Sequence, residues 1–131
     1  MKKSRTLFES FLYAISGVLY SLRTQRNMRI HFLAAVLVTA TGKFIGLNSM
    51  EFVAVIFATS LVIITEMVNT ALETVVDMIT EKYHPLARIA KNVAAGAVLM
   101  AVLNALVVGY LIFFARVQPL LLELERVLSG R

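Results

Sequence analysis

The chain has 131 residues, is 59% hydrophobic, carries a formal net charge of +5 and contains neither cysteine nor tryptophan; its mean hydropathy is +0.79. That length allows one domain, and the missing thiols exclude a disulfide framework and thiolate chemistry. The hydropathy excludes an ordinary soluble globule, because so short a chain cannot cover several apolar helices with polar surface, and the modest positive charge then points to membrane topology and anionic lipid rather than nucleic acid.

The start, MKKSRTLFESF, is basic, but no clean apolar run follows it, so no signal peptide is expected. Residues 6–25 place Leu7, Phe11, Ala14, Ile15, Val18 and Leu22 at helical spacing, with Glu9, Ser10, Ser16 and Arg23 between them. This pattern predicts an amphipathic helix lying in the membrane interface, with Tyr13 and Tyr20 at headgroup depth.

Three spanning helices follow. The first covers residues 31–47, His31 to Leu47, with Lys43 near its far end where the amine can snorkel. The second covers 50–79. At 1.5 Å per residue it is about 45 Å long, against a hydrocarbon core of about 30 Å, so its polar end must leave the bilayer. The third covers 93–114, where Ala94, Ala95, Gly96 and Ala97 suit close helix packing and Asn104 is expected to make an inter-helix hydrogen bond. Residues 115–131 form a tail. The fold class is therefore all-α integral membrane.

The second helix carries the chemistry. Glu66, Asn69, Glu73 and Asp77 recur at spacings of 3, 4 and 4, and at roughly 100° per residue they share a stripe about 80° wide. A carboxylate in a membrane-grade sequence is expensive and usually marks a site. Three carboxylates and an amide on one face suit metal binding and proton transfer where a lipid meets an aqueous substrate.

Charge sets the orientation. Lys2, Lys3, Arg5, Arg23, Arg26 and Arg29 precede the first span against Glu9 alone, and the connection from Thr80 to Asn92 adds Lys82, Arg88 and Lys91 against Glu81. By the positive-inside rule both segments are cytoplasmic. Lys43 and Glu51 then become outer-face charges, and the C-terminus lies outside. His84-Pro85 marks a break, since proline disfavours helix at the residue before it. Carboxylates plus Lys91 at a cytoplasmic membrane face suit Mg²⁺ and phosphate, because Mg²⁺ takes carboxylate and phosphate oxygens together and lysine acts as a point charge. No Walker A or kinase glycine-rich pattern is present. The residues alone thus lead to a cytoplasm-facing site for a metal and a phosphate, without naming the lipid.

The string EMVNTALETVVDMITEKYHPLARIAKNVAAGAV, with its core Glu66-x-x-Asn69-x-Ala71-x-Glu73-x-x-Val76-Asp77, resembles the signature of the prokaryotic diacylglycerol kinase and undecaprenol kinase family. Leu22 to Phe32, LRTQRNMRIHF, is similar to the family's entry into its first span. The resemblance covers about Phe11 to Phe114, and the YHPLA and AAGAV forms resemble the Gram-positive branch, where undecaprenol is the usual acceptor.

That resemblance implies a homotrimer in the bacterial inner membrane with three spans and an interfacial helix per subunit, and with active sites between subunits near the cytoplasmic face. It implies transfer of the ATP γ-phosphate to a lipid hydroxyl with Mg²⁺. Glu66 matches the general base and, with Asn69, faces the acceptor. Glu73 matches a ligand of the metal and nucleotide, Asp77 a carboxylate of the nucleotide region, and Lys91 the phosphate-contacting lysine. Tyr13, Tyr83 and His84 match positions near the nucleotide. Two positions depart from the pattern. Gln25 stands where the family often has a metal-binding Glu, and Asn92 where it commonly has Asp. An amide oxygen can ligate Mg²⁺ but brings no charge.

The expected activity is therefore an ATP-dependent lipid kinase, with undecaprenol preferred and diacylglycerol the alternative acceptor. A polyprenol needs an apolar groove beside Glu66, for which Val62, Ile63 and the small face of the third span qualify. Diacylglycerol would use donors for its esters, with Asn104, Thr59 and Thr65 the candidates. The competing class is a non-catalytic oligomeric membrane protein or a transporter. A proton path would want ionisable groups throughout the span, and the second helix has none between Glu51 and Glu66.

Overall fold

A computed structural model describes residues 6–80 and 82–129. Lys2, Lys3, Arg5 and Glu81, which enter the charge reading, lie outside them. The described residues form four helices and no strand: α1 (Leu7–Thr24), α2 (Arg26–Phe44), α3 (Ser49–Ile79) and α4 (Pro85–Ser129).

Local sequence sets each boundary. Thr6 opens α1 with a capping box, accepting from the Glu9 N–H at 3.2 Å while its own N–H donates to Glu9 Oε2 at 3.0 Å. Gln25 alone separates α1 from α2, extended at φ −101° and ψ 122°. The α2–α3 turn depends on Gly46, whose φ of +71° suits glycine. Its neighbour Leu47 returns an N–H to the Gly42 carbonyl at 3.0 Å. Gly42 leaves room for that turn, since a Cβ there would lie 2.8 Å from Leu47 Cδ1. Asn48 and Glu51 form a second capping box at the start of α3, with bonds of 2.8 and 2.9 Å. At the other end of α3 the chain leaves the helix at Thr80 and re-enters one at Pro85, whose missing N–H is not needed in a first turn.

Three boundaries differ from the sequence reading. The first spanning element begins at Arg26 rather than His31 and ends at Phe44, because nothing in RNMRI breaks a helix. The connection after α3 is short, since α4 starts at Pro85 rather than Val93. That helix also runs through Phe114 to Ser129, so the expected tail is helical despite Pro119. Proline costs α4 one backbone bond there.

α4 packs along α3 over the longest interface, α2 packs on α3, and α1 touches α2 and α3. The core is thin and built of small or slender side chains: Val55, Ala58 and Val62 of α3, Ala94, Val98 and Ala101 of α4, and Met28 of α2, which is fully enclosed. Of the small-residue stretch read as a packing face, Ala94 is buried and Gly96 half-buried, while Ala95 and Ala97 are exposed. Large apolar side chains point outward instead, among them Leu33, Phe57, Leu103 and Leu106. Such an inside-out distribution suits a hydrocarbon surrounding rather than water. α3 and α4 are long and apolar enough to cross a membrane.

Candidate active site

α3 turns one face inward through Val55, Ala58, Val62, Glu66 and Asn69. The apolar core stripe thus continues directly into the polar stripe. Along it, exposure rises toward the C-terminal end of the helix: Glu66 is 3% exposed and Asn69 8%, Glu73 is half-buried and Asp77 is exposed. A graded stripe of this kind offers a dry carboxylate at one end and wet ones at the other.

Glu66 is the dry one. Its carboxylate accepts no hydrogen bond among the described residues. His31 of α2 and Glu73 are the ionisable groups within electrostatic reach of it. One helical turn on, Asn69 keeps a buried Oδ1 that has no partner among the described residues. A buried acceptor left unmet costs about 1–3 kcal/mol, so a donor from a ligand, a water or a neighbouring subunit would be stabilising there. Thr70 and Thr74 add nothing to the reactive set, because each hydroxyl donates back to a carbonyl four residues earlier, at 2.9 and 2.8 Å.

At the exposed end, Lys91 Nζ meets Asp77 Oδ1 at 2.5 Å. The structure therefore joins two residues assigned separately to phosphate and nucleotide. Gln25 is half-buried at the α1–α2 junction and its side chain makes no cap bond. Tyr13, Tyr83, His84 and Asn92 are exposed. Gln25, Tyr83, His84 and Asn92 make no side-chain bond to the stripe among the described residues.

No group of three or more His, Cys, Asp or Glu residues converges among the described residues. That donor set fits Mg²⁺ rather than a caged metal, because Mg²⁺ keeps waters and takes one or two carboxylates plus substrate phosphates. Glu73 is half-buried and within electrostatic reach of Glu66, and a single carboxylate of this kind fits such an ion.

Two cavities flank the stripe. A small one of about 350 Å³ lies between α1 and α3, bordered by Gly17, Ser21 and Thr70. The larger, about 710 Å³, is an apolar groove between α2, α3 and α4. His31 and Val62 line its Glu66 end, and Tyr110, Phe114 and Val117 line the other. Of the residues expected beside a lipid groove, Val62 lines this one, whereas Ile63 and the small residues Ala94, Ala95, Gly96 and Ala97 do not. The expected ester donors are not available. Thr59 donates to the Val55 and Ile56 carbonyls at 2.9 and 3.1 Å, and Thr65 to those of Leu61 and Val62 at 2.9 and 3.0 Å. Asn104 points outward, and the inter-helix bond expected of it does not form among the described residues. Its position on α4 turns it away from α3.

Sequence reasoning passed over His31 and the ion pair between Arg116 and Glu51. A histidine beginning an apolar span was a signal for the first. The second joins residues 65 apart, with bonds of 2.6 and 3.3 Å, and had no local signal.

Residues 12–113 match the family model described as prokaryotic diacylglycerol kinase. A protein of Synechocystis named diacylglycerol kinase is 45% identical over 104 residues, which is 79% of this chain and 59% of that protein. The chain thus spans less than two thirds of that relative's length. An undecaprenol kinase of Bacillus subtilis is 38% identical over 109 residues, 83% of this chain and 89% of its own. A diacylglycerol kinase of Escherichia coli is 30% identical over 95 residues, 72% of this chain and 78% of its own.

Proposed function

We propose that this chain, which belongs to the prokaryotic diacylglycerol kinase family, is a membrane lipid kinase that transfers the γ-phosphate of ATP to a long-chain lipid alcohol, with undecaprenol preferred. The observation that carries this reading is the buried, unpaired Glu66 carboxylate one helical turn beyond Val62, which lines an apolar groove. Glu66 takes the proton of the acceptor hydroxyl. Its burial keeps water from competing as acceptor, and general-base catalysis of this kind contributes about 10²–10⁴-fold. Asn69 offers its unmet Oδ1 to the same region.

Glu73 and Gln25 would hold Mg²⁺ against the phosphates, where the ion neutralises charge developing on the transferred group. Lys91 is engaged by Asp77 in the ligand-free chain and turns to phosphate when nucleotide enters. Asp77 keeps the ammonium aimed into the site. Tyr13, Tyr83, His84 and Asn92 border the nucleotide. Phosphoryl transfer rests mostly on positioning and electrostatics, which is why two amides at Gln25 and Asn92 weaken nucleotide–metal binding without removing the chemistry.

The preference for a polyprenol rests on the groove. It is lined mainly by aliphatic and aromatic side chains, and the threonines that could serve ester carbonyls are committed to backbone. The name of the Synechocystis relative favours diacylglycerol instead. An apolar groove separates long-chain alcohols weakly, so both are expected to react. α1 lies in the interface, and α2, α3 and α4 span the inner membrane as a homotrimer with the Asp77 end in the cytoplasm, as the basic residues on that side support.

Purified protein in mixed micelles, given radiolabelled ATP with undecaprenol or diacylglycerol, tests the reading. Label should enter both lipids, with a higher kcat/KM for undecaprenol, and EDTA should abolish it. A higher kcat/KM for diacylglycerol reverses the acceptor, and no labelled lipid with either overturns the reaction.

A further inference from the structure

The groove holds one polar group at its Glu66 end whose hydrogen bonds are unused. His31 lines the groove beside Val62, which is one helical turn before Glu66. The ring is half-buried and makes no hydrogen bond or ion pair among the described residues. The other polar groups on the walls are either committed or lie far from Glu66. Thr41 donates to the Leu37 carbonyl at 2.8 Å, Thr59 is doubly committed, and Tyr110 stacks on Phe114 toward the opposite end, with ring centroids 5.2 Å apart. His31 is also within electrostatic reach of Glu66. An imidazole on the groove wall and a buried carboxylate one helical turn beyond Val62 are therefore supplied by two helices at the same end of the groove.

A lipid alcohol matches that pair. Its oxygen can accept one hydrogen bond while its proton is donated in another, and its chain has apolar walls to follow. A neutral imidazole always carries one N–H donor. We infer that His31 holds the oxygen of the acceptor alcohol at the head of the groove, donating a ring N–H to it while Glu66 takes its proton. In the transfer, the O–H bond breaks with its proton passing to Glu66. The acceptor oxygen bonds to the γ-phosphorus, and the bond to the bridging oxygen breaks with its electrons leaving on ADP. His31 gives up no proton in the transfer and fixes which lone pair faces phosphorus. The assignment rests on the lipid-kinase reading and adds to it the group that orients the acceptor.

The test uses the full chain in mixed micelles with His31→Leu, His31→Gln and Glu66→Gln. Loss of one buried hydrogen bond predicts that His31→Leu lowers kcat/KM for the alcohol about tenfold, with KM for ATP unchanged. His31→Gln, which keeps an N–H donor, recovers most of it. Binding without nucleotide separates orientation from packing, using hexadecanol, its methyl ether and hexadecane to displace a fluorescent lipid. The ether keeps the oxygen but has no proton to give. It should lose affinity in His31→Leu and be indifferent to Glu66→Gln, while hexadecane is indifferent to both. Equal losses for hexadecane and the ether, failure of Gln to rescue, or a matching change in KM for ATP each overturn the inference. If Glu66→Gln keeps full turnover while the ether still needs His31, the base assignment fails and the His31 assignment stands. A wild-type chain that phosphorylates no lipid alcohol fails the reaction itself, and the inference with it.

Discussion

The α3–α4 pair is closed by an acid–base contact at each end, and the two contacts differ in kind. Glu51 and Arg116 meet through two bonds, and Glu51 also receives the Asn48 N–H in the capping box. Both oxygens are occupied by the protein itself. Asp77 and Lys91 meet through one bond, and their side chains are 64% and 38% exposed. Lys91 therefore keeps donors to spare. The contacts are 26 residues apart on α3 and 25 on α4, or about 39 and 38 Å at helical rise. That brackets a hydrocarbon core of about 30 Å with its interfaces. A satisfied ion pair holds a register, whereas an unsatisfied one is available to a ligand. The reactive stripe lies at the unsatisfied end.

The largest effect expected at that end is at Glu66. Glu66→Gln keeps the shape of the side chain and removes the proton acceptor, so kcat should fall about 10²–10⁴-fold. ATP binding and the helical content by circular dichroism should be retained, since Glu66 bonds to nothing that holds the fold. Near-normal turnover would show that the dry end of the stripe is structural and would erase the contrast between the two ends.

A smaller effect belongs to the ion pair beside it. Lys91→Met should raise KM for ATP about tenfold or more, the size of one charge-assisted hydrogen bond. Asp77→Asn should raise it by less, because the amide still positions the lysine through a neutral bond. A larger effect at Asp77 than at Lys91 would mean that the carboxylate, not the ammonium, is the working partner of the nucleotide–metal complex.

The helical periods and the stripe were legible because both are local. Glu66, Asn69, Glu73 and Asp77 share a face by spacing alone, and the capping residues Thr6 and Asn48 stop their helices whatever the tertiary context. The boundaries at Arg26 and Pro85 were misplaced because hydropathy, which locates the bilayer, was taken to locate the helix. Polar residues such as Arg29, Arg88 and Lys91 leave the membrane without leaving the helix. The arrangement across helices was not legible. Which α2 residue faces Glu66, and which α4 residue meets Glu51, depends on rotation and register between helices, and no spacing within one helix encodes either. The same gap explains Asn104. Its amide is visible in the sequence, but the side of α4 it occupies is not. The commitments of Thr59 and Thr65 were open for a related reason, since a threonine in a helix can donate to its own backbone or to a ligand.

The smallest effect on catalysis, and the sharpest test of the contrast, is at the far end. Arg116→Met removes a guanidinium bound bidentately to Glu51. It leaves the capping box intact, so α3 still starts at Ser49 and the stripe stays where it is. Glu51→Ala removes the same ion pair and the Asn48 N–H acceptor as well, and Glu51→Gln removes the charge but keeps that acceptor. Kinetic constants of all three should stay within about twofold of wild type, the range of substitutions remote from a site. The thermal midpoint in detergent should fall in the order Glu51→Ala, then Arg116→Met, then Glu51→Gln, because a helix start is lost in the first, two charge-assisted bonds in the second, and only the charge behind them in the third. The Arg116→Met, Glu51→Gln double variant should lose little more than the single Arg116→Met variant, as partners in one contact do. A rise in KM for ATP at Arg116→Met comparable to that at Lys91→Met would join the two ends. The ion pair would then set, across the whole length of α3, the register on which Asp77 and Lys91 depend.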